Sequence, residues 1–211
     1  VSRKKSIKTI AVTIGAGCLL LTAAAWAGQV TDQIKQKVDR TLKVLGDQSL
    51  KAPGMETKRR QTLRAIADEI FDWEEMAKRS LGIHWKERTP EEKTEFVKLF
   101  ADLLDRTYMG KIEKYSGEKI AYDNETIDGK YALLESKILT KNDTEVAVNY
   151  WLMNKNGTWS VYDVSVEGVS LIKNYRTQFN EILARSSYPE LVKKLKSKEG
   201  VNLQPKAVPA S

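Results

Sequence analysis

One histidine and one cysteine occur in 211 residues, and these two scarcities remove most catalytic chemistries. Cys18 lies in an N-terminal stretch set apart below from the folded part, which leaves that part without a thiol. His84 alone cannot assemble the common zinc or copper ligand sets. A Ser-His-Asp arrangement would have to use His84, which stands in a loop beside Trp85 with no flanking nucleophile motif. The chain also has no glycine-rich phosphate loop after a strand, no dinucleotide fingerprint and no paired-carboxylate motif. No catalytic residue, metal site or cofactor is therefore expected. Asp163, between Tyr162 and Val164, is the carboxylate that could act as a general base beside tyrosines; its expected role is structural. Glu167, just before Gly168, is placed to start capping the helix that follows.

The first 27 residues read as a signal peptide rather than as part of the fold. Arg3, Lys4, Lys5 and Lys8 form a basic start, residues 10–25 are apolar, and Ala25-Trp26-Ala27 is a small-x-small cleavage site. The apolar run of about 16 residues is shorter than the roughly 20 needed to span a bilayer, which argues against an anchor. Gly15 stands three before Cys18 where a lipoprotein signal carries leucine, and the apolar run continues past the cysteine, so lipidation is not expected either. Removing these four basic residues takes the net charge from +7 to +3; a partner of nucleic acid is not expected. An exported chain without disulfides must rely on its core for stability, and the compartment expected is a bacterial periplasm.

The length favours one domain, here residues 28–196, followed by a polar, turn-rich tail over 197–211. Val30, Ile34, Val38, Leu42 and Leu45 step by three and four, predicting an amphipathic helix over 30–45. A loop with Gly46, Pro53 and Gly54 precedes a second helix over 58–70. A third starts at Asp72, with capping-box spacing to Glu75, and stops near Gly82. Thr89, Pro90 and Glu92 supply N-cap, N1 proline and N3 glutamate for a long fourth helix running to about 115. Strands are predicted over 118–126, 130–139, 144–154 and 158–166, separated by Asp128-Gly129, Asn142-Asp143 and Asn156-Gly157. The first and last of these pairs suit type I′ turns, so the reading is a four-stranded antiparallel meander. Helices over 169–185 and 188–195 complete the chain. In the last strand Trp159 and Val161 point to one face and Tyr162, Val164 and Val166 to the other.

The stretch over 158–179 carries Trp159, Tyr162-Asp163-Val164, Glu167-Gly168-Val169-Ser170-Leu171-Ile172, Asn174-Tyr175-Arg176 and Gln178-Phe179. Upstream stand Met76-Ala77, Leu81-Gly82, Trp85, Thr89-Pro90-Glu91-Glu92, Phe96, Phe100, Leu104 and Thr107-Tyr108. In order and spacing this set resembles the MlaC, or toluene-tolerance, family of periplasmic phospholipid-binding proteins, over about residues 30–196.

The resemblance implies an α+β fold of the NTF2-like or cystatin-like kind, in which N-terminal helices, the meander sheet and C-terminal helices enclose an apolar cavity. It implies a non-enzymatic carrier of phospholipid, with an outer-membrane lipoprotein complex and the MCE-domain protein of an inner-membrane ABC transporter as partners. The apolar faces offer Phe96, Leu99, Phe100, Leu103, Val148, Tyr150, Leu152, Val164, Val166, Val169, Ile172 and Tyr175 as cavity lining, each of which would serve equally well as plain core. Arg176 is the cation expected at the mouth for the headgroup, with a salt bridge to Asp163 or Glu167 as its alternative. Two other readings of the same residues stay open: an enzyme using Asp163 and a tyrosine, and an interaction module whose apolar faces are all packed.

Overall fold

Thr89 caps its helix as the spacing predicts. Its hydroxyl accepts a 3.2 Å hydrogen bond from the Glu92 amide, and the Glu92 carboxylate accepts one of 2.9 Å from the Thr89 amide. The structure is a computed structural model that describes residues 28–140 and 144–197. The expected signal peptide, nearly all of the expected tail and the Asn142-Asp143 turn lie outside the described residues.

The helices are α1 (Gln29–Gly46), α2 (Glu56–Ile70), α3 (Trp73–Leu81), α4 (Pro90–Ile112), α5 (Leu171–Leu183) and α6 (Tyr188–Lys196). No helix among the described residues is long and apolar enough to cross a membrane. The strands β1 (Lys119–Asp128), β2 (Tyr131–Leu139), β3 (Glu145–Lys155), β4 (Thr158–Val166) and β5 (Val169–Ser170) form one antiparallel sheet in chain order.

The fifth strand corrects the sequence reading, which carried the chain from residue 168 straight into a helix. Glu167 and Gly168 both take positive φ, 51° and 76°, and Val166 pairs with Val169 across them. This is the two-residue turn that matches strand twist. It was hidden because its first residue is glutamate rather than the usual asparagine. Asn156 and Gly157, at 55° and 88°, turn as expected. At the first hairpin the turn residues are instead Gly129 and Lys130, since Asp128 pairs with Tyr131. Only Gly129 has positive φ, the pattern of a type II′ turn.

A second correction concerns faces. Trp151 pairs with Asp163 and Leu152 with Val161, so Tyr162 is an extra residue in a β-bulge. The bulge resets the alternation by one and puts Trp159, Val161, Val164 and Val166 on the same face, opposite the row of Val148, Tyr150 and Leu152.

Two main cores result. Val30, Ile34 and Ile66 of α1 and α2 pack on that sheet face against Leu134, Leu152, Trp159 and Val161. The second core is entirely helical: Phe96, Phe100, Tyr175, Phe179 and Leu191 join α4, α5 and α6, with Met76 and Leu81 from α3. Phe100 meets Tyr175 and Phe179 edge-on at 5.4 and 6.0 Å, and Phe96 meets Phe179 at 5.7 Å, the geometry aromatic quadrupoles favour. Phe71 touches both cores and bridges to Val161, and the Asp72 amide donates to the Val161 carbonyl at 2.9 Å.

Candidate functional site

The two cores do not close completely where they meet. A cleft of about 240 Å³ lies between them. Arg64 and Ala67 of α2 and Phe71, Trp73 and Met76 from the α2–α3 junction form one wall. Val164, Val166, Val169 and Leu171 form the sheet corner. The remaining wall is α4, through Ala101, Leu104, Asp105, Tyr108, Lys111 and Ile112, with Met109 beside them. A larger hollow of about 640 Å³ beside Pro90 and Lys196 is open to solvent and walled by Glu91, Glu95 and Lys98; it offers no dry surface.

The helix α4 serves both the core and the cleft because its apolar face is wide. At 100° per residue, Phe96, Leu99, Phe100 and Leu103 fall on one stripe, and Ala101, Asp105, Tyr108 and Ile112 on another nearly half a turn away, with Leu104 between them. The first stripe faces α5 and α6, and the second faces the cleft.

The polar groups around the cleft are few. Arg64 is bound to Asp68 at 3.0 Å and to Asp102 at 3.2 Å, and it stacks on Trp73. The Lys111 ammonium rests 5.8 Å over the Tyr108 ring, and no carboxylate among the described residues pairs with it. The Tyr108 hydroxyl is buried beside the Tyr175 hydroxyl, and neither makes a well-formed hydrogen bond among the described residues. Burial, with a smaller contribution from the nearby Tyr175 hydroxyl, pushes the Tyr108 pKa up, so it stays a neutral donor. Ile112 and Val169, at 42% and 36% exposure, are apolar lips at the mouth.

Of the twelve residues expected as lining, Val164, Val166 and Val169 stand on the cleft wall. Phe96, Phe100, Leu103, Ile172 and Tyr175 are in the helical core, and Leu99 packs against it beside the open hollow. Leu152 belongs to the sheet core, Tyr150 packs against that core and Val148 is buried. Arg176 is exposed and off the cleft; its Cγ and Cδ lie against Gly82, where an added Cβ would meet them at 3.6 and 3.3 Å. It forms no ion pair with Asp163 or Glu167. Asp163 accepts from the Ser170 hydroxyl at 2.6 Å and the Ile172 amide at 3.1 Å. Glu167 accepts from the Ala147 amide at 2.5 Å, so the cap of α5 is Ser170, not Glu167. The cleft residues on α2 and at the α2–α3 junction were not foreseen. The α4 stripe was, in principle, visible as a second apolar periodicity.

Among the described residues no three His, Cys, Asp or Glu side chains gather as a metal site. Both Asp163 oxygens accept hydrogen bonds that hold the start of α5, the structural role expected of that carboxylate.

The fold and the site define an α+β protein whose helices and twisted sheet meet over a dry cleft. The chain belongs to the MlaC family: the family model, described as MlaC protein, matches residues 35–197. It is 28% identical over 179 residues to the toluene tolerance protein ttg2D of Pseudomonas putida, covering 81% of this chain and 82% of that one. It is 27% identical over 120 residues to the intermembrane phospholipid transport system binding protein MlaC of Haemophilus influenzae, covering 54% of this chain and just over half, 56%, of that relative. Among solved structures it resembles a phospholipid-binding protein from Ralstonia solanacearum determined in complex with a phospholipid. The TM-score there is 0.68 at 25% identity, over 79% of this chain and 94% of that one.

Proposed function

We propose that this protein is a non-enzymatic phospholipid carrier of the periplasm, which receives lipid from or delivers it to an outer-membrane lipoprotein complex and the MCE-domain protein of an inner-membrane ABC transporter. The observation that carries the reading is the apolar cleft between two separately packed cores, in a fold shared with a protein solved with phospholipid bound. Two acyl chains leaving a membrane put roughly 20 kcal/mol at stake, at about 0.8 kcal/mol per CH₂. Only a dry cavity can offset that.

The cleft at about 240 Å³ is below the roughly 300–1,000 Å³ of a drug-sized ligand site, so a two-chain lipid requires it to widen. The architecture supports widening. The helix α4 packs against α3 and α6 rather than against the sheet, and the helical core includes no buried strand residue. Parting the sheet corner from α4 therefore enlarges the cleft while α3 and α5 keep their contacts with β4.

The small cleft favours one other reading, an interaction module that carries no lipid. Native mass spectrometry and lipid extraction of the purified protein separate the two. Phospholipid at about one per chain supports the carrier; a protein that is empty and takes up no lipid from vesicles is the module.

A further inference from the structure

The cleft has one mouth cation without a carboxylate partner, and it is not the one the sequence suggested. Arg64 is neutralised by Asp68 and Asp102. Arg176 lies against Gly82, away from the cleft. Lys111 is on the cleft wall and exposed, next to the apolar lip Ile112, and its ammonium leans on the ring of Tyr108, one turn back on α4. Tyr108 contributes a buried hydroxyl whose neighbour is the Tyr175 hydroxyl, and neither makes a well-formed hydrogen bond among the described residues. Buried hydroxyls are normally hydrogen-bonded, so Tyr108, the one of the two that lines the expandable cleft, can turn to a better acceptor. A cation, a neutral donor and apolar lips thus line one cleft, whose other charged groups are the paired Arg64 and Asp105, a carboxylate that senses the Arg60 charge on α2.

We infer that Lys111 and Tyr108 form the subsite for the phosphodiester of a glycerophospholipid. Lys111 takes the phosphate charge at the rim, and the Tyr108 hydroxyl donates to an oxygen of the same group once the cleft has opened, while the chains lie inward along Val164, Val166 and Leu104. The inference rests on the carrier reading and adds to it the residues that tell a phospholipid from an uncharged lipid with the same chains. A lysine in the last turn of a helix also complements the helix dipole. That role affects stability and not the choice between lipids.

The test is uptake from phosphatidylcholine vesicles carrying labelled phosphatidylglycerol or labelled diacylglycerol of the same chains, read as the ratio of the two. Lys111→Ala is expected to lower the ratio about tenfold, the effect of losing one charge-assisted hydrogen bond. Tyr108→Phe removes only that hydroxyl and keeps the ring, and is expected to lower the ratio about threefold. Arg176→Ala is expected to leave it within twofold. Raising the salt should lower the ratio in the wild type and leave it flat in Lys111→Ala. Equal loss of both lipids in Lys111→Ala, an unchanged ratio, or a larger effect from Arg176→Ala overturns the subsite. A wild-type protein that takes up diacylglycerol and phosphatidylglycerol without preference also overturns it but leaves a lipid carrier; one that takes up neither overturns the carrier reading itself.

Discussion

The Asp163 carboxylate accepts a 2.6 Å hydrogen bond from the Ser170 hydroxyl, so the bulged strand and the start of the next helix are tied across the β4–β5 turn. Ser170 in turn accepts from the Lys173 amide at 3.0 Å as N-cap of α5, and the second Asp163 oxygen accepts from the Ile172 amide. Ser170→Ala should destabilise by about 1 kcal/mol, the usual loss of a cap. Asp163→Ala should destabilise by about 1–3 kcal/mol by leaving buried donors unmet. Because the two act as one unit, the double variant should fall short of the sum by at least about 0.5 kcal/mol in denaturant titrations. Strict additivity would mean that the pair does not hold the corner together.

The same carboxylate gives a signed pH dependence. Burial, opposed by the bonds from Ser170, Ile172 and Val164 and by Arg79, holds its pKa above the ordinary carboxylate value. The folded state therefore binds this proton more tightly than the unfolded chain. Its contribution favours folding below the unfolded value of about 3.9 and is lost as pH rises through the raised folded value. Asp163→Asn keeps an acceptor for one donor and removes the titration. The stability of Asp163→Asn relative to wild type should rise with pH across that window and then level off. A relative stability that falls across the window would show the carboxylate to be better solvated than its surroundings indicate.

Much of this fold can be read from local chemistry. Thr89, Pro90 and Glu92 announce α4, and Asn156-Gly157 announces the last long hairpin, because caps and turns depend on residues within a few positions. Tyr162 is different: a bulge arises from the pairing of β4 with β3, and nothing in the alternation of Trp159, Val161 and Val164 marks it. For the same reason Val164 could be placed on a cavity wall and Phe100 could not be kept off it. Both are apolar residues at proper spacing, and which of two apolar stripes on α4 meets a gap is decided by how α3, α5 and α6 pack. Arg176 was expected at the mouth because it follows the signature strand, but one turn of helix carries it round to Gly82.

Cleft and core can be separated by two opposite substitutions. Phe100 is fully buried among Phe96, Tyr175 and Phe179, so Phe100→Ala should lose about 3–5 kcal/mol. Lipid uptake measured well below its melting temperature should nonetheless stay within about twofold, since Phe100 does not line the cleft. Val164 faces the cleft, and tryptophan suits a strand. Val164→Trp projects into the gap, so it should cost no more than the roughly 1–3 kcal/mol of a small-to-large change while retained phospholipid falls at least about tenfold. The two variants thus exchange their effects on melting and on lipid. Unimpaired uptake in Val164→Trp would place the cargo elsewhere.

Glu125 reaches from the middle of β1 to the first turn of α1, accepting from the Gly28 and Thr31 amides at 2.7 and 2.8 Å and from the Thr31 hydroxyl at 2.5 Å. It replaces the cap that Gly28, with a φ of 90°, cannot supply. Burial alone would raise its pKa, and the bonds from Thr31 and Gly28 outweigh that and hold it below the ordinary value. Its contribution is present above the unfolded value of about 4.3 and is lost as pH falls through the depressed folded value. Amide exchange in the first turns of α1 should therefore accelerate in acid before the helical core opens. Acceleration that begins together in α1 and α4 would show that Glu125 does not hold the helix start on its own.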